Sequence, residues 1–249
     1  MQETGDDSQL VQFWLQQHQR ERRTFSRRER VLRAVRKLTQ GDAYILNLGC
    51  GVGAYSFHLE REFGIAKIVS LDISSNCLLT GKQHYDISLP VRADALFIPF
   101  RDKSFDIVIL SEVIEHIVEQ GQLQNEISRV TKDNGYLVLT TSPLKSDILF
   151  SVVRKIKEKQ LFGFHEEKEH VAVQHPSDIR RRLEGCGFNM LEEGYWNLLH
   201  LRSIQSLLSI PILGTLIERI DDRLGFLSCL CTDFICIAEK RRDADVSSD

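Results

Sequence analysis

The chain has 249 residues, of which 42% are hydrophobic and 27% are charged, and its formal net charge is -3. This length suits one α/β domain with a substantial core, and the composition excludes wholesale disorder and a protein with many membrane spans. The charge is uneven, because residues 20–37 hold eight arginines and one lysine against two glutamates, a local charge of about +7.

The cysteines and the N-terminal residues favour a reduced, cytoplasmic protein. The six cysteines include no CxxC pair of the kind that binds zinc, and Cys50 lies in a glycine-rich loop where a disulfide would obstruct a ligand. The first ten residues are acidic and polar and lack the apolar core of a secretion signal. No uninterrupted apolar run reaches the roughly 18 residues of a membrane span.

The first predicted element is a helix over residues 8–38, a stretch rich in Gln, Arg, Glu and Leu that contains neither Gly nor Pro. A break is expected near residues 24–26. We interpret residues 1–40 as an N-terminal helical extension and residues 41–249 as the main domain. The arginines of the extension predict either a solvated basic face or a surface for nucleic acid.

Strands and helices then alternate along the chain. Strands are predicted at residues 44–48, 67–71, 91–93, 106–110, 136–140, 189–195 and 233–239. Helices are predicted to begin at Gly53, Ser74, Gln122 and Pro176, and Asn134-Gly135 supplies the turn before the fifth strand. This alternation predicts an α/β fold with a doubly wound, mostly parallel, seven-stranded Rossmann-like sheet. No further strand-helix unit separates the last two strands, so the last strand should run antiparallel.

Residues 44–56 read YILNLGCGVGAYS and place Gly49, Gly51 and Gly53 between the first strand and the following helix. Glycine lets a ligand approach the backbone where the N–H groups of a helix start point outward, which predicts a nucleotide-like ligand. The spacing also satisfies the dinucleotide fingerprint, with Asp72 as the acidic residue. The loop by itself therefore leaves open which nucleotide is bound.

The order of motifs resembles class I S-adenosylmethionine (SAM) dependent methyltransferases, in the methyltransferase type 11 group that includes ubiquinone-biosynthesis enzymes. The resemblance spans residues 44–240 and is carried by NLGCGVG, SLDIS, ADALFIPFRDKSFDIVILSEVIEHI, DNGYLVLTTS and the closing pair of strands. It implies SAM as the cofactor. It also implies methyl transfer to an O, N or C atom of a small-molecule or lipid-like acceptor.

The resemblance implies cofactor contacts at Asn47, Gly49, Cys50, Gly51, Gly53, Asp72, Ile73, Asp94, Ala95 and Ser111. Asp72 would accept hydrogen bonds from the ribose hydroxyls, and Asp94 would meet the adenine amino group. The family usually carries an acid before the glycines, where this chain has Asn47. An amide at that position can orient the loop but cannot pair with the ammonium group of SAM.

Two histidines, His116 and His170, are candidates for a general base, since imidazole titrates near neutral pH. We expect no resident metal. A metal site is the competing hypothesis, because Glu112, Glu115 and His116 would share one face of a helix at i, i+3 and i+4.

Two other functions compete with small-molecule methylation. The basic segment could serve an RNA methyltransferase or a nucleic-acid-binding protein, but Phe25 is its only aromatic residue, so we do not expect nucleic acid as the partner. The neutral Asn47 would also suit a non-catalytic SAM-binding scaffold.

Residues 203–227 form an insertion between the last two strands and are rich in Leu and Ile. They predict either a helical pair packed in a protein interface or peripheral contact with a membrane through this segment. The sequence makes no prediction of oligomeric state.

Overall fold

The computed structural model describes residues 22–39, 42–64, 67–142, 175–198 and 231–242. Within these ranges, no helix combines the length and the apolar character needed to cross a bilayer. The insertion at 203–227 and His170 lie outside the described residues.

The described elements follow the predicted alternation. The helices are α1 (Arg22–Leu38), α2 (Ala54–Phe63), α3 (Ser75–Tyr85), α4 (Gln120–Val130) and α5 (Pro176–Gly185). The strands are β1 (Ile45–Leu48), β2 (Ile68–Asp72), β3 (Leu89–Arg92), β4 (Phe105–Ser111), β5 (Thr131–Thr141), β6 (Phe188–Leu198) and β7 (Cys231–Lys240). Every predicted strand is present, with ends shifted by up to a few residues.

The seven strands form one sheet in the order β3-β2-β1-β4-β5-β7-β6. The pairs among β1 to β5 are parallel, whereas β7 pairs antiparallel with both β5 and β6. The predicted fold class and the antiparallel last strand are therefore confirmed. The strand order reverses between β1 and β4, which places a ligand crevice at the carboxyl ends of these two strands.

Helices cover both faces of the sheet because successive strand residues point to opposite sides. On one face, Leu46 and Val108 pack with Leu123 and Ile127 of α4. On the other face, Ile45 packs with Ile107 and Ile109 of β4 beneath α1 and α2.

Helix α1 is part of this second layer. Its residues Val31, Leu32, Ala34 and Val35 are buried against the sheet. The helix also runs unbroken through residues 24–26, so the predicted break is wrong. The described part of α1 thus contributes to the core, and the domain division at residue 40 stays a prediction.

The segment after α4 also differs from the prediction. Strand β5 begins at Thr131 directly after α4, so Asn134-Gly135 lies within β5 and does not precede it. Asn134 has φ 58°, and the pairing of β5 with β4 shifts register between the pairs Phe105–Thr131 and Ile107–Tyr136. The turn residues therefore form an irregularity in the strand.

Candidate active site at the carboxyl edge of the sheet

The three loop glycines all have positive φ, but they differ in the space beside each Cα atom. A Cβ atom on Gly49 would lie 2.3 Å from Val113 Cγ2, and one on Gly53 would lie 2.6 Å from Ile87 Cγ2. A Cβ atom on Gly51 would meet nothing within 4 Å. Gly49 and Gly53 therefore let the protein pack tightly on itself, while Gly51 faces open space where a ligand can approach the backbone.

Strand β2 holds the loop in place. The N–H groups of Gly49 and Cys50 both donate to the carbonyl of Leu71, at 2.8 and 2.9 Å. Asp72 Oδ2 accepts from the N–H of Gly51 at 2.7 Å, and Oδ1 accepts from the N–H of Ser74 at 2.9 Å. Because a carboxylate has about four acceptor positions, Asp72 can bind ligand hydroxyls while it keeps both backbone bonds.

Burial raises the pKa of Asp72 above its ordinary value, although the backbone hydrogen bonds from Ser74, Gly51 and Ile73 act in the opposite direction. The start of α2 adds a second polar feature beside this carboxylate. Its N-cap residue Gly53 makes no side-chain cap, so the N–H groups of the first turn have no capping side chain. A carboxylate or phosphate group fits such a helix start.

The end of β3 forms a tight turn around Asp94. Its Oδ1 accepts from the N–H of Leu96 at 2.9 Å, and its carbonyl accepts from the N–H of Phe97 at 3.0 Å. Phe97 is 67% exposed, and Ile73, which follows β2, is 64% exposed. Apolar side chains so exposed beyond two neighbouring strands can cover a flat ring, and Phe97 was not predicted from the sequence.

Asn47 and Cys50 lie beneath the loop. Asn47 is 1% exposed, and its Nδ2 donates to Ser56 Oγ at 3.0 Å, while Ser70 Oγ donates to the same Ser56 oxygen at 2.7 Å. The Asn47 side chain therefore ties β1 to α2 beneath the loop, and its predicted contact with the cofactor stays a prediction. Burial raises the pKa of the Cys50 thiol well above its ordinary value.

A chain of hydroxyl groups continues the site toward β5. Tyr55 Oη lies 3.0 Å from Ser111 Oγ, which lies 2.8 Å from Thr140 Oγ1. Burial raises the pKa of Tyr55, with the positive charge of Arg27 acting in the opposite direction. These hydroxyl groups link the start of α2 with the carboxyl ends of β4 and β5. Tyr55 was not predicted from the sequence.

Next to these hydroxyl groups lies a group of charged side chains, Arg27, Glu112, Glu115 and Asp233, which we call the Arg27 cluster. Arg27 Nη2 lies 3.1 Å from Glu112 Oε2 and also pairs closely with Asp233 Oδ1, whose side chain is fully buried. Burial acts to lower the pKa of Arg27. The negative charges of Glu112 and Asp233 together outweigh this effect, so the pKa lies above its ordinary value. Arg27 therefore does not belong to a solvated basic face.

Glu115 is the innermost carboxyl group of the cluster. It is 1% exposed, and its Oε2 accepts from Thr141 Oγ1 at 3.0 Å. Burial, followed by the charge of Glu112, raises the pKa of Glu115 well above its ordinary value. A raised pKa favours the uncharged acid for this group.

The predicted helix carrying Glu112, Glu115 and His116 is wrong. Only residues Ile114–His116 form a short 3₁₀ turn, and Glu112 has φ 55°. Glu115 is buried whereas His116 is exposed, so the three side chains share no helix face. In the described ranges no three His, Cys, Asp or Glu residues are grouped as a metal would require. The roles predicted for His116 and His170, and the expectation of no metal, stay predictions.

Comparison with known proteins finds one matching family model and several similar relatives. Residues 46–139 match the model of the methyltransferase domain. A malonyl-[acyl-carrier protein] O-methyltransferase of Legionella pneumophila is 37% identical over 100 residues, which cover 39% of this chain and 35% of the relative. A demethylmenaquinone methyltransferase of Staphylococcus haemolyticus is 26% identical over 164 residues, 59% of this chain and 69% of the relative.

A solved structure gives the same fold. A SAM-dependent methyltransferase from Archaeoglobus fulgidus superposes with a TM-score of 0.59 at 21% identity, over 86% of this chain and 94% of that protein. Residues 46–139 thus match a methyltransferase domain, and the SAM-dependent methyltransferases to which the chain is similar imply SAM as its cofactor. The chain spans about half or less of the length of most curated relatives that it matches.

Proposed function

We propose that this chain transfers a methyl group from SAM to a small-molecule or lipid-like acceptor. The observation that carries the proposal is the glycine loop. It combines an unobstructed approach at Gly51, an uncapped helix start at Ala54 and the carboxylate of Asp72 at one edge of the sheet.

The residues present fit SAM. The start of α2 suits the carboxylate of the methionine part, because uncapped N–H groups attract an anion. Asp72 has acceptor positions left for the ribose hydroxyls, and Ile73 and Phe97 offer apolar surface to the adenine ring. Asp94 follows the end of β3, and its carboxylate would accept a hydrogen bond from the adenine amino group.

SAM, when bound, supplies a methyl group that its sulfonium already activates. The chain therefore has to align the acceptor with that methyl group and to accept a proton where the acceptor loses one. Tyr55, Ser111 and Thr140 provide a hydroxyl-lined wall between the loop and the Arg27 cluster.

The acceptor class is supported by the names of the relatives, which act on an acyl-carrier-protein-bound malonyl group and on a quinone precursor. The alternative based on nucleic acid is less well supported, since Arg27 is held by two carboxylates and Arg28 Nη1 lies 3.0 Å from His58 Nε2. A non-catalytic scaffold would bind SAM without transferring its methyl group.

Calorimetric titration with S-adenosylhomocysteine (SAH) and with NAD tests the proposal. We expect SAH to bind with a micromolar dissociation constant, about -8 kcal/mol, and NAD not to bind. Gly51→Ala should abolish SAH binding, because the added methyl group occupies the open side of the loop. Gly121→Ala is the matched control, since a Cβ atom there also meets nothing within 4 Å but lies in α4. Preferential binding of NAD would refute the proposal.

A further inference from the structure

The Arg27 cluster contains buried polar atoms that lack a hydrogen-bond partner. Within the described part of the chain these are Arg27 Nε, Glu112 Oε1 and Glu115 Oε1. An unpaired buried polar atom costs about 1–3 kcal/mol, so three of them in one cluster are not explained by stability. A polar ligand group that pairs with them would explain why they are kept.

The cluster adjoins the proposed cofactor site. Glu112 directly follows Ser111, and Val113 packs against Gly49 so closely that a Cβ atom on Gly49 would collide with it. Tyr55, in the first turn of α2, contacts Ser111. The cluster therefore stands beside the glycine loop on the side of β4, β5 and β7.

The charges of the cluster restrict the chemistry of a ligand. Among its described members, the carboxylates of Glu112 and Asp233 face the single guanidinium of Arg27. Glu115 adds no negative charge when it is protonated, as its raised pKa favours. A ligand carboxylate placed beside Glu112 would meet a second negative charge, so this position favours a group that donates a hydrogen bond.

The unpaired atoms of the cluster favour the same kind of ligand. Glu112 Oε2 is already held by Arg27 and by Ser142 Oγ, which donates to it at 3.1 Å, so Oε1 is the atom left to accept. Arg27 Nε remains as a donor. A hydroxyl or amine nitrogen can donate to the first and accept from the second, whereas a carboxylate can only accept.

We propose that the Arg27 cluster binds the methyl acceptor and selects a hydroxyl or amine over a carboxylate, an inference that rests on the proposed function. The lone pair of the acceptor oxygen or nitrogen forms the bond to the methyl carbon, and the electron pair of the broken S–CH3 bond returns to sulfur. The proton of the acceptor passes to Glu112 Oε1. Arg27 is a positioning residue that fixes Glu112 with Oε1 free.

The test uses purified full chain, SAM with an isotopically labelled methyl group, and an extract of the source cells. Labelled products are treated with mild alkali, which releases the methyl group of an ester as methanol but leaves methyl ethers and methylamines intact. We expect the label to stay bound. Release of labelled methanol would show a carboxylate acceptor and overturn the inference, as would SAH binding with no labelled product.

Variants separate this inference from the proposed function. Glu112→Gln should lower labelling by about a hundredfold, since it removes the proton acceptor, while its SAH affinity stays within about twofold of wild type. Glu192→Gln, a change at an exposed glutamate of β6, is the matched control. Arg27→Lys, which keeps the charge, should retain more labelling than Arg27→Met at equal SAH affinity. Wild-type labelling by Glu112→Gln would overturn the inference, whereas absent SAH binding by wild type would refute the proposed function itself.

Discussion

The glycine loop and the Arg27 cluster lie at the same edge of one sheet but are built in opposite ways. The loop is local in sequence, and the N–H groups of residues 49–51 donate to Leu71 and Asp72. The cluster joins residues as distant as Arg27 and Asp233, which are 206 positions apart, and leaves three buried polar atoms unpaired. The difference indicates that the loop keeps its shape without a ligand and offers the uncapped start of α2 to one, whereas the cluster leaves buried polar atoms unpaired.

We expect the greatest loss of stability when the buried ion pair of the Arg27 cluster is removed. Arg27→Met removes the guanidinium that pairs with the fully buried carboxylate of Asp233, so the free energy of unfolding should fall by about 3–5 kcal/mol. Arg33→Met removes only an exposed ion pair with Glu29 and should change it by less than about 0.5 kcal/mol. Chemical denaturation measures both. Equal losses in the two variants would mean that Arg27 is not held as described.

Variants at Gly49 and Gly51 separate the packing of the loop from its ligand binding. Gly49→Ala should cost about 3 kcal/mol of stability, because its methyl group collides with Val113 in addition to the strain of φ 68°. Gly51→Ala carries only the strain of φ 53° and should cost about 1 kcal/mol, while it removes SAH binding. Thermal unfolding and calorimetry on both variants measure this. A reversed order of stability would place the open side of the loop at the wrong glycine.

Asp72 tests how far the loop depends on one carboxylate. Asp72→Ala should weaken SAH binding by about 2 kcal/mol, roughly 30-fold, because charge-assisted hydrogen bonds to the ribose disappear. Asp42→Ala, at a residue that only makes a 3.6 Å exposed pair with Lys67, should leave the affinity unchanged. Calorimetry decides, and unchanged affinity in Asp72→Ala would remove this residue from the cofactor site.

The smallest expected effect is a pH dependence from Glu115. Its pKa in the folded chain is raised above the ordinary value of 4.5, so the folded state binds this proton more tightly than the unfolded state does. The stability of wild type should therefore fall as pH rises above that value. Glu115→Gln cannot ionise, so its stability should fall less over the same range. Thermal unfolding from pH 4 to pH 8 measures this, and parallel curves would mean that Glu115 titrates normally.

The sequence predicted the fold and the loop because their signals are local. Apolar strands such as residues 107–110, the three glycines and the alternation of elements each lie within a few residues of chain. The helical spacing of Glu112, Glu115 and His116 was misleading, because Glu112 adopts φ 55° and ends the regular backbone there.

The Arg27 cluster could not be predicted in the same way. The count of arginines in α1 does not say which one faces the sheet, although the buried positions Val31 and Val35 at helical spacing were a usable signal. Asp233 stands at the start of the apolar run DFICIA, where a lone acid suggests a partner but not its identity. Pairing across 206 positions becomes visible only when the chain is folded.

Nuclear magnetic resonance of the chain titrated with SAH tests the division between the two regions most directly. We expect the backbone amide signals of Gly51, Ile73 and Ala95 to shift. The Nε–H signal of Arg27 should stay where it is, because SAH occupies the loop and leaves the cluster to the acceptor. A shift of the Arg27 Nε–H signal with unchanged loop amides would contradict this expectation.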